Sequence, residues 1–177
     1  DVGEQGAENA GFGQPTRTSI FDYVGVPAHQ RWMNNGKFDG GQSTSDEKTL
    51  RGYYQTLLNL SHTATALSGE YRELDSLQRQ NKLKGYDDSV FAFSRFNEVQ
   101  QLIIVSNFSQ SHSKQFTLQL PNTLIQTWQI SSNKKLTDLL KSTPQNQQLI
   151  LHKDGSASVD IELAPLQSVI LNVANKA

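Results

Sequence analysis

Two periodicities divide the chain. From Leu50 to Leu60 the apolar residues Leu50, Tyr53, Tyr54, Leu57, Leu58 and Leu60 recur near every 3.6 positions, while Lys48, Arg51, Gln55, Thr56 and Asn59 make an opposite, solvent-like face. Thr44 with Glu47 three residues on has the form of a capping box, and Asp46 and Glu47 suit the positive end of a helix dipole. The pattern predicts a helix over about Ser45 to Leu60. A short helical turn over Ala64 to Leu67, ended by Gly69, should follow it.

From Glu70 onward the period falls to two. Phe116, Leu118 and Leu120 alternate with Gln115, Thr117 and Gln119, and Ala157, Val159, Ile161 and Leu163 alternate with Ser158, Asp160 and Glu162, as in antiparallel strands with one wet face. Further strands are predicted near Glu70 to Leu74, Ser89 to Phe96, Gln101 to Phe108, Ile125 to Ser131, Lys134 to Leu140, Gln148 to Lys153 and Gln167 to Ala174. Asn97-Glu98 and Asp154-Gly155 fall where hairpin turns are needed. About eight short strands without intervening helices predict a mainly β fold, an antiparallel two-sheet β-sandwich preceded by a loop-rich segment and one amphipathic helix. The loop-rich segment is the start of the chain: eight of the twelve glycines lie in the first 41 residues, with Pro15 and Pro27, which predicts irregular backbone there.

Composition narrows the function classes. The 177 residues are enough to bury a core without disulfides, since a chain of this size removes roughly 70% of its unfolded surface from water. Sixteen basic and seventeen acidic residues are mixed along the chain, so no field would draw it to nucleic acid or an anionic membrane. No apolar run approaches the roughly 20 residues of a membrane span. With no cysteine, thiol catalysis and Cys-ligated zinc are excluded. The N-terminus has neither the basic nor the apolar region of a signal peptide, and a start at Asp1 rather than Met predicts a processed or excised piece.

Candidate chemistry concentrates in the glycine-rich segment. Asp1, Glu4, Glu8, Asp22 and Asp39 are the one conceivable acid/base set for a glycosidase, which needs two carboxyls roughly 5 to 10 Å apart; loop solvation is the plainer role for each. His29, His62, His112 and His152 lie too far apart for a metal motif, and no phosphate-binding or nucleophile-elbow motif occurs. Phe12, Phe21, Tyr23, Trp32 and Phe38 could stack on a sugar ring or could simply pack.

Longer stretches resemble a known family. DVGEQGAE, PTRTSIFDYVGVPAHQRWMNNGKFDGGQ and SDEKTLRGYYQTLLNL look like the end of the catalytic barrel in the α-amylase superfamily of glycoside hydrolases: a last barrel strand, a long loop and a closing helix. The stretch from Ala64 to Tyr71, then Val90 to Arg95, Leu102 to Phe108 and Leu163 to Val173 resemble, in order, segments of that superfamily's C-terminal β-domain. The resemblance implies a remnant of the barrel over residues 1–68 and a β-sandwich domain over 69–177. It also implies a departure, because the superfamily's catalytic Asp, Glu and Asp, and its usual calcium site, belong to sequence upstream of Asp1. No catalytic residue, cofactor or metal ligand is therefore expected in this chain. The upstream barrel is the implied partner, and α-glucan is met through the parent enzyme. Arg17, His29 and Trp32 are the residues expected to touch glucan, Trp32 by stacking and the others by hydrogen bonds. An apolar helix face stripped of its barrel would favour self-association. Two other functions remain open at this point, an autonomous carbohydrate-binding module and a ligand-free structural sandwich.

Overall fold

The computed structural model describes residues 27–141 and 147–173, so Arg17, the other glycine-rich residues before Pro27 and their expected loops lie outside the described residues. Two compact units divide the chain, 1–56 and 57–177, the division falling inside a helix.

In the first unit the described residues begin with helix α1 (Pro27–Met33) and a 3₁₀ turn (Asn34–Gly36), short elements in a segment whose glycines and prolines predict irregular backbone rather than sheet or long helix. Pro27 stands at the first helical position, where its missing N–H costs nothing. Helix α2 (Ser45–Thr63) starts as predicted and runs one turn further. Its capping box is formed: the Thr44 N–H donates to Glu47 Oε2 (2.8 Å) and the Glu47 N–H to Thr44 Oγ1 (3.2 Å). Neither helix buries a residue fully; Leu50, Tyr53, Tyr54 and Leu58 are exposed.

The second unit takes up the last residues of α2, a 3₁₀ turn (Thr65–Ser68) and eight strands: β1 (Glu70–Glu73), β2 (Val90–Phe96), β3 (Gln101–Asn107), β4 (Lys114–Leu120), β5 (Lys134–Asp138), β6 (Gln147–Leu151), β7 (Ala157–Leu163) and β8 (Ser168–Val173). Gly69 permits the entry into β1, because a Cβ there would meet the Phe96 carbonyl oxygen at 2.1 Å. All strand pairs are antiparallel, in the order β1-β2-β3-β8-β5-β6-β7-β4.

The expectation of two sheets is met only in part. β8 bonds to β3 on one side and to β5 on the other, so the eight strands make one continuous sheet. That sheet curls around its own apolar face, and Val90, Ala92, Ile103 and Val105 from one half share a core with Phe116, Leu118, Leu149, Val159 and Ile161 from the other. The alternation in β4 and β7 falls as predicted. Ser158 departs from its pattern: it is buried, with His152 Nε2 2.9 Å from its hydroxyl. β3 is buried on both faces. Ile103 and Val105 enter the main core, whereas Leu102 and Ile104, with Ile170, form a second cluster with Ala64 and Ala66, against which Leu57, Leu60 and Phe93 pack.

Two helices interrupt the strands. The segment expected as a strand over Ile125 to Ser131 is instead the end of helix α4 (Asn122–Thr127) and the turn that follows it, the helix being preceded by Pro121 in an extended conformation. Leu124 and Trp128 suit either a period of two or a spacing of i, i+4, and burial of the adjacent Ile125 with them selects the helix. Trp128 sits in the core edge-on to Phe96, 5.8 Å between ring centroids. Helix α3 (Asp75–Gln80) follows β1. Its buried Gln78 donates from Nε2 to the Leu74 and Gln119 carbonyls (3.0 and 2.9 Å) and accepts the Gln119 N–H at Oε1 (3.0 Å). The amide thus stands in for a neighbouring strand at the outer edge of β4.

Candidate functional site

Trp32 is the hub of the first unit. The carbon of the Arg51 guanidinium lies 4.2 Å from its ring centroid, a cation–π contact. Against the ring's benzo edge lies Gly40, at φ +69°, where a Cβ would come within 2.4 Å of Trp32 Cζ3. The Gly40 N–H donates to the Trp32 carbonyl (3.0 Å), and the Phe38 N–H to that of Met33 (2.9 Å). Asn34, Asn35 and Phe38 also have positive φ, so this turn is a strained one for side-chain-bearing residues. Asp39 fastens it by accepting from Asn34 Nδ2 (2.7 Å) and the Gly41 N–H (2.9 Å).

Beside the ring is a hollow of about 330 Å³ lined by Ala28, His29, Trp32, Ser43, Glu47 and Arg51. Two of the three residues expected to touch glucan, His29 and Trp32, are therefore brought together; the third, Arg17, lies outside the described residues. Arg31 grips Glu47 through Nε (3.1 and 3.0 Å to its two oxygens) and Nη2. The Arg31 hydrogen bonds, then the Thr44 N–H, hold the Glu47 carboxyl down to about 2. Hydrogen bonds from Asn34 and then Gly41 hold Asp39 below the usual carboxylate range. Protonating a glycosidic oxygen takes a carboxyl that keeps its proton near neutral pH, and these two are committed to the opposite state. The hollow can stack and hydrogen-bond a polar ring, but its one carboxylate, Glu47, is an acceptor already in use.

Sequence reasoning missed the parts contributed by Arg31, Glu47 and Arg51. The pattern places Glu47 at the helix start and Arg51 on the solvent face; their i, i+4 spacing is visible in the sequence, but the aromatic ring they flank lies outside the helix. The described residues of the second unit hold a larger groove, about 840 Å³, lined among others by Lys84, Gln115, Thr117, Gln147, Asp160 and Glu162. Thr117 Oγ1 donates to Asp160 Oδ1 (2.7 Å) within it. Among the described residues, no three His, Asp or Glu side chains gather as a metal site would require.

Residues 81–174 match the C-terminal all-beta domain family of the α-amylases. This chain belongs to that family. The match covers the described fold from the loop before β2 through β8, so the curled sheet is an α-amylase C-terminal domain. No curated protein matches the sequence. Among solved structures, the chain resembles AmyP in complex with maltose at 19% identity, covering 73% of this chain and 21% of that one, with a TM-score of 0.45. The trehalulose synthase MutB from Pseudomonas mesoacidophila MX-45 is 22% identical over 92% of this chain and 22% of its own, TM-score 0.45. The isomaltulose synthase PalI from Klebsiella sp. LX3 is 17% identical over 92% and 22%, TM-score 0.48. The chain thus spans about a fifth of the length of these solved chains.

Proposed function

We propose that the chain is the non-catalytic C-terminal part of a retaining glycoside hydrolase acting on α-glucans such as starch and maltooligosaccharides. Residues 1–68 are the last loop and closing helix of its barrel, and 69–177 a β-sandwich-like domain that covers and stabilises that barrel. The family match over residues 81–174 carries this reading. Retention needs a nucleophile and an acid/base group about 5 Å apart; in this reading both come from the preceding sequence. Glu47 and Asp39, ionised and hydrogen-bonded, agree with a supporting rather than a catalytic role.

In the same reading Trp32 offers glucan the ring surface that Arg51 and Gly40 leave open, with His29 and Arg17 as hydrogen-bonding partners. The purified 177-residue chain should release no reducing sugar from maltoheptaose. Release abolished by Asp39→Asn would overturn the assignment. One observation favours the alternative of a carbohydrate-binding module: Tyr71, Phe91 and Phe93 form an aromatic row on the outside of the sheet. Titration with maltoheptaose followed by protein fluorescence separates the two, since a binding module should respond without its barrel.

A further inference from the structure

The turn between α1 and α2 carries a reactive pair. Gly36 follows Asn35, and without a Cβ it leaves its backbone nitrogen unscreened beside the amide of the preceding side chain. In a folded chain the outcome depends on whether that amide is held. Asn34, Asn97, Asn107, Asn122, Asn133 and Asn172 each hold a side-chain hydrogen bond. Asn59 precedes Leu60 and Asn81 precedes Lys82, so in both a side chain screens the next nitrogen. The Asn35 amide makes no hydrogen bond among the described residues. Asn35 and Gly36 are both exposed, and nothing lies within 4 Å of where a Gly36 Cβ would stand. With Asn35 at φ +55°, ψ +38° and Gly36 at φ +88°, the pair sits in a left-handed turn that little packing holds, and exposed turns of this kind open locally at low cost.

We infer that Asn35-Gly36 is a site of self-modification by deamidation, and that its product reshapes the hollow beside Trp32. The Gly36 backbone nitrogen gives its proton to solvent base and attacks Asn35 Cγ; the Cγ–Nδ2 bond breaks, and ammonia leaves with a proton taken from water, closing a succinimide ring. Water then adds to one of the two ring carbonyls and the ring opens, to aspartate or to isoaspartate, whose backbone runs through the former side chain. One water is consumed and one ammonia released, with no change of oxidation state. The two described Asp-Gly pairs, Asp39-Gly40 and Asp154-Gly155, are spared. Ring closure there starts from a neutral carboxyl, and hydrogen bonds from Asn34 and Gly41 to the first, and from Ser156 to the second, keep both ionised. The consequence for Trp32 follows from the turn's closure. The Phe38 N–H to Met33 carbonyl bond (2.9 Å) and the Gly40 N–H to Trp32 carbonyl bond (3.0 Å) both span residue 35. Isoaspartate inserts a methylene into the loop that they close and adds a negative charge, so Gly40 loses its seat against the indole edge.

The test is incubation of the folded 177-residue chain in mildly alkaline buffer, with peptide mapping by mass and labelling by an isoaspartyl-specific methyltransferase. Asn35 should convert at least about tenfold faster than any other described asparagine. Its rate should rise with pH, because the attacking nitrogen must lose a proton, and tryptophan emission should drift on the same time course. Asn35→Gly, which suits the positive φ, should give fresh protein with the original emission and no drift. An Asn35 peptide that keeps its mass while Asn81 or Asn97 converts would overturn the inference. So would conversion of Asn35 only in urea, since the fold would then be what protects the pair. Conversion of Asn35 with unchanged emission would overturn the link to the Trp32 hollow. None of these outcomes touches the proposed function, which does not depend on residue 35.

Discussion

The two units of the chain are held together by different physics. The β domain buries a 21-residue apolar cluster, so its stability comes from area removed from water and from close packing. The described part of the first unit buries no residue of α1 or α2; its geometry is set by one half-buried ring, a guanidinium, a capping box and an Arg–Glu pair. Apolar burial is cumulative and insensitive to pH, whereas such a hydrogen-bonded knot is specific in shape but weak. The sheet should therefore melt as one cooperative body, and the Trp32 knot should loosen earlier. Each unit has its own fluorophore, Trp32 in the first and Trp128 in the second, so the contrast can be read directly.

The largest effect should come from the core. Ile161→Ala, fully buried among residues of both halves of the sheet, should cost about 2–5 kcal/mol and move the Trp128 urea midpoint down while sparing the Trp32 signal. Next, Gln78→Ala should cost about 1–3 kcal/mol, since it strips the half-buried Gln119 backbone of both partners; an unchanged Trp128 midpoint would mean that water replaces the amide. Gly40→Ala tests the other side of the comparison. The added methyl collides with Trp32 at a positive φ, so Trp32 emission should shift and its transition fall by about 1–3 kcal/mol, with the Trp128 midpoint unmoved. The smallest effect is in acid. Glu47 is held at about 2 in the fold against 4.5 for the free group, so its contribution is complete above about 4.5 and is lost as pH falls towards 2. Trp32 emission and helicity should change within that window, and Glu47→Gln should abolish the change; a Trp32 signal flat from pH 5 to 2 would show that the pair does not hold the knot.

How much of this was legible depends on whether a feature repeats. β4 and β7 declared themselves because one face is wet and the other buried over seven residues, and α2 because its cap and its apolar stripe agree. Helix α4 did not, since six residues are too few to separate the two periods. The single sheet could not be read either, because it hinges on β8 having two partners, a matter of pairing rather than pattern. Single contacts were the least visible. Arg51 over Trp32 and Gln78 against β4 depend on segments meeting in space. Of the other aromatics on the β domain, Trp128 is core, and Tyr86 packs edge-on against Phe116 and donates its hydroxyl to Asp75 (2.6 Å). In the sequence Phe91 and Phe93 read only as members of the strand pattern VFAFSRF.

The Gln78 amide has one more consequence. An open sheet ends in two rows of unpaired backbone groups, each a template on which a foreign strand can polymerise. At β4 Gln78 fills one place in the row, opposite Gln119; at β1 the row is only four residues long, and three of them, Glu70, Arg72 and Glu73, carry charge. Copies of this chain drawn together by the exposed rings or by the α2 stripe would thus meet face to face. Their assemblies should close as small oligomers, and fibril growth should begin only when residue 78 can no longer bond its neighbour.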